Sequence, residues 1–172
     1  MPATLANRNA WLRLDDAALL KACREDRYRA SGPGGQRRNK VETASRLHHR
    51  PSGLIAHAEE SRSLQTNRVR ALRRLRERIA LELRVPFDLA APPLPLELLA
   101  QRGPSGSLAV KTSNPAYPIV VATAFDALAS AQGSYATAAR ALGITTSQLL
   151  RFLRSDPSLW RAAQSLKEDL SQ

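Results

Sequence analysis

The most regular pattern in the chain is a stripe of apolar side chains along residues 61–84. The apolar positions recur mostly at intervals of three or four, and arginine fills many of the positions between them. The stripe comprises Leu64, Leu72, Leu75, Ile79 and Leu83. Such spacing places apolar side chains on one side of an α-helix. We therefore predict a long helix over residues 61–84 that packs through this stripe and presents a cationic surface.

The pattern before this helix predicts a shorter helix and a strand. Residues 14–23 are expected to form a short helix, with Asp15 or Asp16 as the N-cap that accepts a hydrogen bond from the first turn. Residues 24–30 are expected to form a strand that leads into a glycine-rich loop. Residues 41–44 predict a short helical turn or an extended piece.

Two short segments around a proline–glycine turn predict a β-hairpin. Pro51 and Gly53 suit a type I or type II turn between residues 46–50 and 54–58. Together with the helices, these strands predict an α+β domain over residues 1–84, consisting of a small mixed sheet and the long basic helix.

The second half of the chain begins with a proline-rich segment. Seven of the eleven prolines lie between residues 85 and 118. Proline-rich stretches are extended and semi-rigid, so we predict a linker over residues 85–117. A small helix over residues 94–100 is expected within it.

The remaining residues, 118–172, predict an all-helical domain. Helix-starting and helix-ending residues divide it into four helices. These residues are Pro118, Gly133, Ser134, Leu142, Gly143, Thr145 or Thr146, Arg154, Asp156 and Pro157. In the last helix, Trp160, Ala163 and Leu166 are expected inside.

The middle of this helical domain has the spacing of a helix-turn-helix. Ala139 stands where the first helix needs a small residue, and Gly143 lies four residues later in the turn. Leu149 and Phe152 are expected in the core. The segment resembles the Fis-like helix-turn-helix group. Its polar face would comprise Thr146, Ser147, Gln148 and Arg151. Docking of this face on DNA, on RNA or on protein stays open.

The positive charge is concentrated in the first half of the chain. The whole chain has a net charge of +11; residues 1–84 hold 19 Lys/Arg against 9 Asp/Glu, and residues 85–172 hold 7 against 6. A basic half of this kind indicates a polyanionic partner. Arginine predominates, and because it binds phosphate bidentately and stacks on bases, nucleic acid is favoured over a membrane surface.

The composition and the cysteine count bear on the cellular location and on whether the chain needs a disulfide or a cofactor. Cys23 is the single cysteine, so no disulfide can form within the chain, which favours a reducing compartment. The sequence has no apolar run long enough to cross a membrane and no secretory signal. We predict a cytoplasmic protein, with an organellar matrix left open, and we expect no metal or other cofactor.

The loop SGPGGQRRNK, residues 31–40, is the one segment whose chemistry is unusual. It lacks the Gly-Lys-Ser/Thr of a P-loop, and Arg37 stands where a dinucleotide fingerprint needs glycine. Gly34 and Gly35 allow a close backbone approach to a ligand. Gln36 cannot act as a general base, but its side chain can orient a water and its backbone N–H can stabilise developing negative charge.

SGPGGQRRNK, followed by RLHHRPSGLI and RSLQTNR, resembles the GGQ domain of peptide chain release factors over residues 15–84. The resemblance implies that Gly34, Gly35 and Gln36 form a catalytic tip inside the ribosomal peptidyl transferase centre. There the glutamine would orient water beside the ester of peptidyl-tRNA, and rRNA would supply the rest of the site. The family often methylates this glutamine, so Gln36 is a possible methylation site.

The resemblance also implies contacts with large-subunit rRNA from basic and polar residues near the tip and along the helix. These are Arg37, Arg38, Asn39, Lys40, Arg62, Arg68, Arg70, Arg73 and Arg74. The expected partners are the ribosome and peptidyl-tRNA, with a possible protein or nucleic acid bound by the helical domain and no membrane.

Three departures from the family affect the predicted function. Arg37 and Arg38 replace the His-Val or Asn-Val common after the glutamine. The 14 residues before Asp15 are too few for codon-reading domains, and the C-terminal SLKEDLSQ is not the basic tail of rescue hydrolases. We therefore expect codon-independent release of peptide from the ribosome. The alternative is a non-catalytic, regulatory nucleic-acid- or ribosome-binding protein that docks through the GGQ fold and the helix-turn-helix.

Overall fold

A computed structural model describes residues 5–29 and 42–170. Within them the chain forms eight helices and three strands, in an α+β arrangement as predicted. They are α1 Leu5–Arg13, α2 Asp16–Lys21, β1 Cys23–Tyr28, β2 Ala44–His49, β3 Ile55–Ala58, α3 Leu64–Glu82, α4 Leu96–Gln101, α5 Tyr117–Ser130, α6 Tyr135–Leu142, α7 Thr146–Arg154 and α8 Pro157–Asp169. Contacts divide the chain into a sheet unit, Ala10–Ile79, and a helical unit, Met1–Asn9 with Ala80–Gln172.

The sheet has the order β1-β2-β3, and each described strand pairs antiparallel with its neighbour in the chain. The mixed sheet that we predicted is therefore wrong. The tight turn between β2 and β3 requires antiparallel pairing, and β1 and β2, which a longer connection joins, also pair antiparallel. The predicted hairpin is present: the His49 N–H donates to the Leu54 carbonyl at 2.8 Å, and Gly53 between them has φ of +73°.

The core of the sheet unit lies between the sheet and α3. The buried side of α3 consists of Ala71, Leu72, Leu75 and Ile79, and Leu47 of β2 is fully buried with them. Leu64 and Leu83, at the two ends of the predicted stripe, are only half-buried. In addition to this apolar contact, Asn67 on the same helix is fully buried, which the stripe did not indicate.

The helical unit is organised around α5. Every residue from Ile119 to Leu128 is buried, so this helix is enclosed on all sides. Helices α4, α6 and α8 contact it. The two caps of α6 and the N-caps of α7 and α8 lie at residues named from the sequence: Ser134, Gly143, Thr145 and Asp156. Ala163 is buried in α8 as predicted, whereas Trp160 and Leu166 are half-buried, so their predicted interior positions are wrong.

The proline-rich segment contributes apolar side chains to the helical unit. Val85, Phe87, Leu98 and Leu108 are each at most 7% exposed. Leu98 lies on α4, Leu96–Gln101, which corresponds to the helix predicted over residues 94–100. The segment is thus held by burial as well as by the stiffness of proline.

Helix α1 was not predicted. Its Arg8 is fully buried and lies 2.6 Å from the Asp126 carboxylate of α5. Arg84 also reaches Asp126, at 3.5 Å, and the Val85 N–H donates to the same carboxylate at 3.1 Å. The buried Asp126 carboxylate thus connects three distant segments of the helical unit, and its removal would leave the buried Arg8 without this ion pair.

Candidate functional site

The predicted catalytic tip lies outside the described residues, together with the cations that follow it. This applies to Gly34, Gly35, Gln36, Arg37, Arg38, Asn39 and Lys40. What the structure positions is the pair of strands from which this segment extends. Tyr28 at the end of β1 lies opposite Ala44 at the start of β2, so the two ends of the segment meet at one end of the sheet.

Both strand ends are anchored by side chains. The Tyr28 hydroxyl donates to the Glu59 carboxylate at 2.9 Å, and the Arg46 guanidinium lies 5.0 Å from the centre of the Tyr28 ring. On the β2 side, the Asn67 amide donates to the Thr43 carbonyl at 2.7 Å. These contacts hold the strand ends on either side of the loop against the rest of the sheet unit.

Asn67 also organises the start of α3. Its side-chain amide donates to the Ser61 carbonyl at 2.8 Å, and its side-chain oxygen accepts from the Ser61 N–H at 2.9 Å. The amide is therefore satisfied although the residue is buried. Sequence reasoning did not single out Asn67 as a positioning residue. The signal was available, since asparagine is a poor helix former and is seldom buried without a role.

Arg68, predicted to contact RNA, is bound within the sheet unit. Its Nε and Nη2 donate to the two Glu25 carboxylate oxygens, each at 2.9 Å. The Ser45 hydroxyl donates to the same carboxylate at 2.9 Å. The hydrogen bonds from Arg68, followed by that from Ser45, hold the pKa of Glu25 below its ordinary value. The pair connects α3 to β1, the strand that leads into the loop.

Arg74 and Arg78 cover the outer edge of the sheet. Arg74 donates to the His57 carbonyl at 2.7 Å, and Arg78 donates to the Ile55 carbonyl. Ile55 and His57 are alternate residues of β3, an edge strand of the sheet. An uncovered edge of this kind invites pairing with another chain, and the two arginines occupy it. Arg74 also pairs with Glu60 at 2.5 Å, and Arg70 approaches the same carboxylate at 3.7 Å.

Arg62 and Arg73 differ from the other predicted RNA contacts. Both are exposed, and within residues 5–29 and 42–170 neither forms an ion pair. The structure thus separates the predicted arginines into two groups. Arg68, Arg70 and Arg74 bind carboxylates of the sheet unit, whereas Arg62 and Arg73 are available to an external anion.

The face of the sheet that carries even-numbered β2 residues adds polar groups that we did not predict. Arg24, Asp26, Arg46 and His48 share it, and His48 Nε2 lies 3.0 Å from the Asp26 carboxylate. Arg24 reaches the same carboxylate at 3.3 Å. The alternation of the strands contained this signal, because successive side chains point to opposite faces.

Comparison with known proteins identifies this part of the chain. The family model of the RF-1 domain matches residues 19–86. Residues 19–86 are an RF-1 domain. The resemblance to release factors expected from the GGQ, hairpin and helix motifs is confirmed, and the match spans the segment that holds Gly34, Gly35 and Gln36.

Among curated proteins, the RF-1 domain is similar to peptide chain release factors. Peptide chain release factor 1 of Lacticaseibacillus casei is 48% identical over 59 residues, which are 34% of this chain and 16% of the relative. That of Latilactobacillus sakei is 40% identical over 77 residues, 45% of this chain and 21% of the relative. Peptide chain release factor 2 of an Acidovorax species is 48% identical over 56 residues, 33% and 15% respectively. The chain thus spans about a sixth to a fifth of the length of these relatives.

The four predicted C-terminal contacts lie on α7, outside the RF-1 domain match. Ser147 and Arg151 are exposed, whereas Thr146 and Gln148 are half-buried. The Thr145 N–H donates to the Gly106 carbonyl at 3.3 Å, so the first turn of α7 contacts the loop that follows α4. The structure therefore places these four residues on one short helix but exposes only two of them well.

The part of the chain that the structure describes offers no cluster of three His, Cys, Asp or Glu side chains suited to a metal ion. In that same part, none of the helices is both long and apolar enough to span a membrane. Cys23 is buried, and burial raises the pKa of its thiol to about 11. A thiol in this environment stays protonated near neutral pH and is a poor nucleophile.

Proposed function

We propose that this protein releases nascent peptides from the ribosome by hydrolysing the ester of peptidyl-tRNA, without reading a codon. The observation that carries the proposal is the RF-1 domain over residues 19–86, which encloses an intact Gly34-Gly35-Gln36. The relatives that match this domain are named peptide chain release factors. The activity is proposed for this chain from that domain and from the chemistry of its three-residue tip.

The proposed reaction uses the tip to complete a site made by RNA. Water attacks the ester carbonyl carbon, the bond to the ribose oxygen of the tRNA breaks, and that oxygen leaves as a hydroxyl after gaining a proton. Gln36 would position the water, and its backbone N–H would stabilise developing negative charge. Gly34 and Gly35 would allow the backbone to approach the ester closely. Since glutamine does not titrate, proton transfer is assigned to the surrounding RNA site and solvent.

Cations that follow the tip in sequence support binding in an RNA cavity. Arg37, Arg38 and Lys40 follow the tip in sequence, and Arg62 and Arg73 are exposed and unpaired among the described residues. Arginine and lysine that neutralise phosphates contribute a large share of nucleic-acid affinity. The contacts of Arg68 and Arg74 with Glu25 and Glu60 instead support the shape of the domain.

The helical unit motivates the codon-independent form of the proposal. The family model ends at residue 86, and the described residues after it form helices α4 to α8. We propose that this unit recruits the chain to its ribosomal target by docking, in place of codon reading. Its helix-turn-helix spacing and the polar surface of α7 support a docking role.

Substitution of Gln36 tests the catalytic proposal. Gln36→Ala should lower the rate of peptide release from ribosomes at least about 100-fold, the scale for losing a group that stabilises the transition state. Binding of the variant to ribosomes, measured by co-sedimentation, should stay near that of the unaltered protein. Gln65→Ala, which changes an exposed glutamine of the same domain, serves as the control. An unaltered protein that binds ribosomes without releasing peptide would support the alternative, a non-catalytic binding role.

A further inference from the structure

The helix-turn-helix segment is more basic than the half of the chain that contains it. From residue 127 to residue 155 the sequence has no Asp or Glu, yet it includes Arg140, Arg151 and Arg154. Residues 85–172 as a whole hold 7 Lys/Arg and 6 Asp/Glu, because the carboxylates lie elsewhere in this half. The near-neutral total therefore conceals a local positive patch formed by α6 and α7.

The three arginines of this patch are exposed and unpaired. Among the described residues, no carboxylate lies within ion-pair distance of Arg140, Arg151 or Arg154. Elsewhere the protein uses arginines internally: Arg8 and Arg84 pair with Asp126 in this same unit. Unpaired cations in a region free of acids are suited to an external polyanion.

Aromatic side chains hold one of these cations in place. The Arg154 guanidinium lies 4.7 Å from the centre of the Trp160 ring, and Trp160 stacks on Tyr135 at 6.3 Å with an interplanar angle of 20°. Lys167 lies 5.7 Å from the centre of the Tyr135 ring, on α8. This column of two rings and two cations connects α6, α7 and α8. Because Arg154 already rests on a ring, less side-chain entropy is lost when it binds a phosphate.

We propose that the helical unit binds the sugar–phosphate backbone of RNA along the exposed side of α7. Ser147, Arg151 and Arg154 are spaced by four and three residues, so they line one side of the helix. The hydroxyl and the two guanidiniums are phosphate-binding groups. Arg140 is a third exposed guanidinium, on α6, which packs against α7. The choice of RNA over DNA rests on the proposed ribosomal function. The proposal that these side chains bind phosphate does not depend on that function.

The described geometry favours backbone contact over base reading. Base-reading helix-turn-helix proteins use the N-terminal residues of the second helix. In this unit the first turn of α7 contacts the loop after α4 through the Thr145–Gly106 hydrogen bond, and Thr146 and Gln148 are half-buried. The cations lie in the second half of the helix. A protein partner is less suited, because the exposed large apolar side chains of the described residues lie outside α6 and α7.

Fluorescence anisotropy with the full-length protein tests this surface. The probes are a fluorescein-labelled RNA duplex of about 20 base pairs, a DNA duplex of the same sequence and a single-stranded oligouridine, each titrated between about 50 and 200 mM salt. Arg151→Gln/Arg154→Gln removes both cations of α7. Arg151→Gln alone leaves the contact between Arg154 and Trp160 intact. Lys111→Gln removes an exposed charge of the same unit outside the patch and is the matched control.

The double variant should bind RNA about tenfold or more weakly at low salt, and its log–log salt slope should fall by about 1.4 to 1.8, or 0.7 to 0.9 for each lost phosphate contact. Arg151→Gln should give about half of that change in slope. Lys111→Gln should stay within about twofold of the unaltered protein. Unchanged affinity and slope in the double variant would overturn the proposal. A loss confined to the DNA probe would overturn the assignment to RNA.

Peptide release separates this proposal from the catalytic one. The double variant should release peptide at the unaltered rate when saturating, but with a higher half-saturating concentration. Gln36→Ala should show the reverse, with normal RNA binding and lost release. If the unaltered protein releases no peptide while the arginine substitutions still weaken RNA binding, the catalytic proposal fails and the RNA surface stands.

Discussion

Arg68 on α3 binds Glu25 on β1 through two parallel hydrogen bonds of 2.9 Å. The two side chains are 22% and 14% exposed, so the pair is partly shielded from solvent. Paired donors of this kind are the strong form of the arginine–carboxylate contact. An arginine of the most basic helix thus serves to hold the strand that leads into the loop bearing Gln36.

Replacement of Glu25 should make the free energy of unfolding of the RF-1 domain change less as the pH falls from 7 to 3. The pKa of Glu25 is lowered in the folded protein, so its stabilising effect is present above its unfolded pKa of about 4.3 and is lost as the pH falls through the folded value. Glu25→Gln should cost about 1–2 kcal/mol in the free energy of unfolding at pH 7, allowing for solvent screening, and less near pH 3. Urea unfolding across this pH range measures the difference.

Glu42→Gln is the control for that experiment, because it removes a carboxylate from an exposed side chain. It should change the free energy of unfolding by less than about 0.5 kcal/mol at either pH. Equal losses from the two substitutions at pH 7, or a Glu25→Gln loss that does not shrink in acid, would contradict the assigned role of the pair.

The arginines of α3 and of the segment just before it should fall into two functional groups. Arg62→Gln/Arg73→Gln removes exposed cations that form no ion pair with any described residue, and it should weaken binding to ribosomes several-fold with little change in melting temperature. Arg68→Gln/Arg74→Gln breaks contacts with Glu25, Glu60 and the His57 carbonyl and should mainly lower the melting temperature. Co-sedimentation with ribosomes and thermal unfolding give the two readouts. The grouping fails if both pairs change the two readouts equally.

The sequence predicted best what local chemistry determines. Ser134, Gly143, Thr145 and Asp156 bound the helices of the helical unit because a cap is a contact between residues two to five positions apart. The hairpin around Gly53 and the buried side of α3 were predictable for the same reason. The GGQ motif was recognisable as a sequence, while its geometry lies outside the described residues.

Contacts between residues far apart in sequence were not predictable. Arg8 and Asp126 are 118 residues apart, and no periodic pattern in the sequence indicates that these two side chains form a buried pair. Similarly, arginine at a surface position of α3 has the same sequence signal whether it binds Glu25 or an external phosphate. Trp160 was expected inside from its helical spacing, but it is half-buried and its ring contacts Arg154 and Tyr135. Which partner such a side chain contacts depends on how the whole unit folds, so the local sequence does not predict it.

Gly143 should not accept a side chain while Arg102 is present. Its φ is +68°, and a Cβ there would lie 2.0 Å from the Arg102 guanidinium, which also reaches the Leu142 carbonyl at 3.3 Å. Gly143→Ala should destabilise the protein by about 1–2 kcal/mol from the backbone conformation, plus a term for displacing Arg102. In an Arg102→Ala background the second term should vanish. A double-mutant cycle by chemical unfolding measures it, and a coupling energy near zero would exclude the proposed clash.

The central claim is ester hydrolysis on the ribosome without codon recognition, and a release assay on defined complexes tests it most directly. Ribosomes carrying labelled peptidyl-tRNA in the P site would be programmed with a stop codon, a sense codon or no mRNA in the A site. The unaltered protein should release peptide from at least one complex that lacks a stop codon, and Gln36→Ala should lose this release at least about 100-fold while still binding. Release that requires a stop codon, or release that survives Gln36→Ala, would contradict the account.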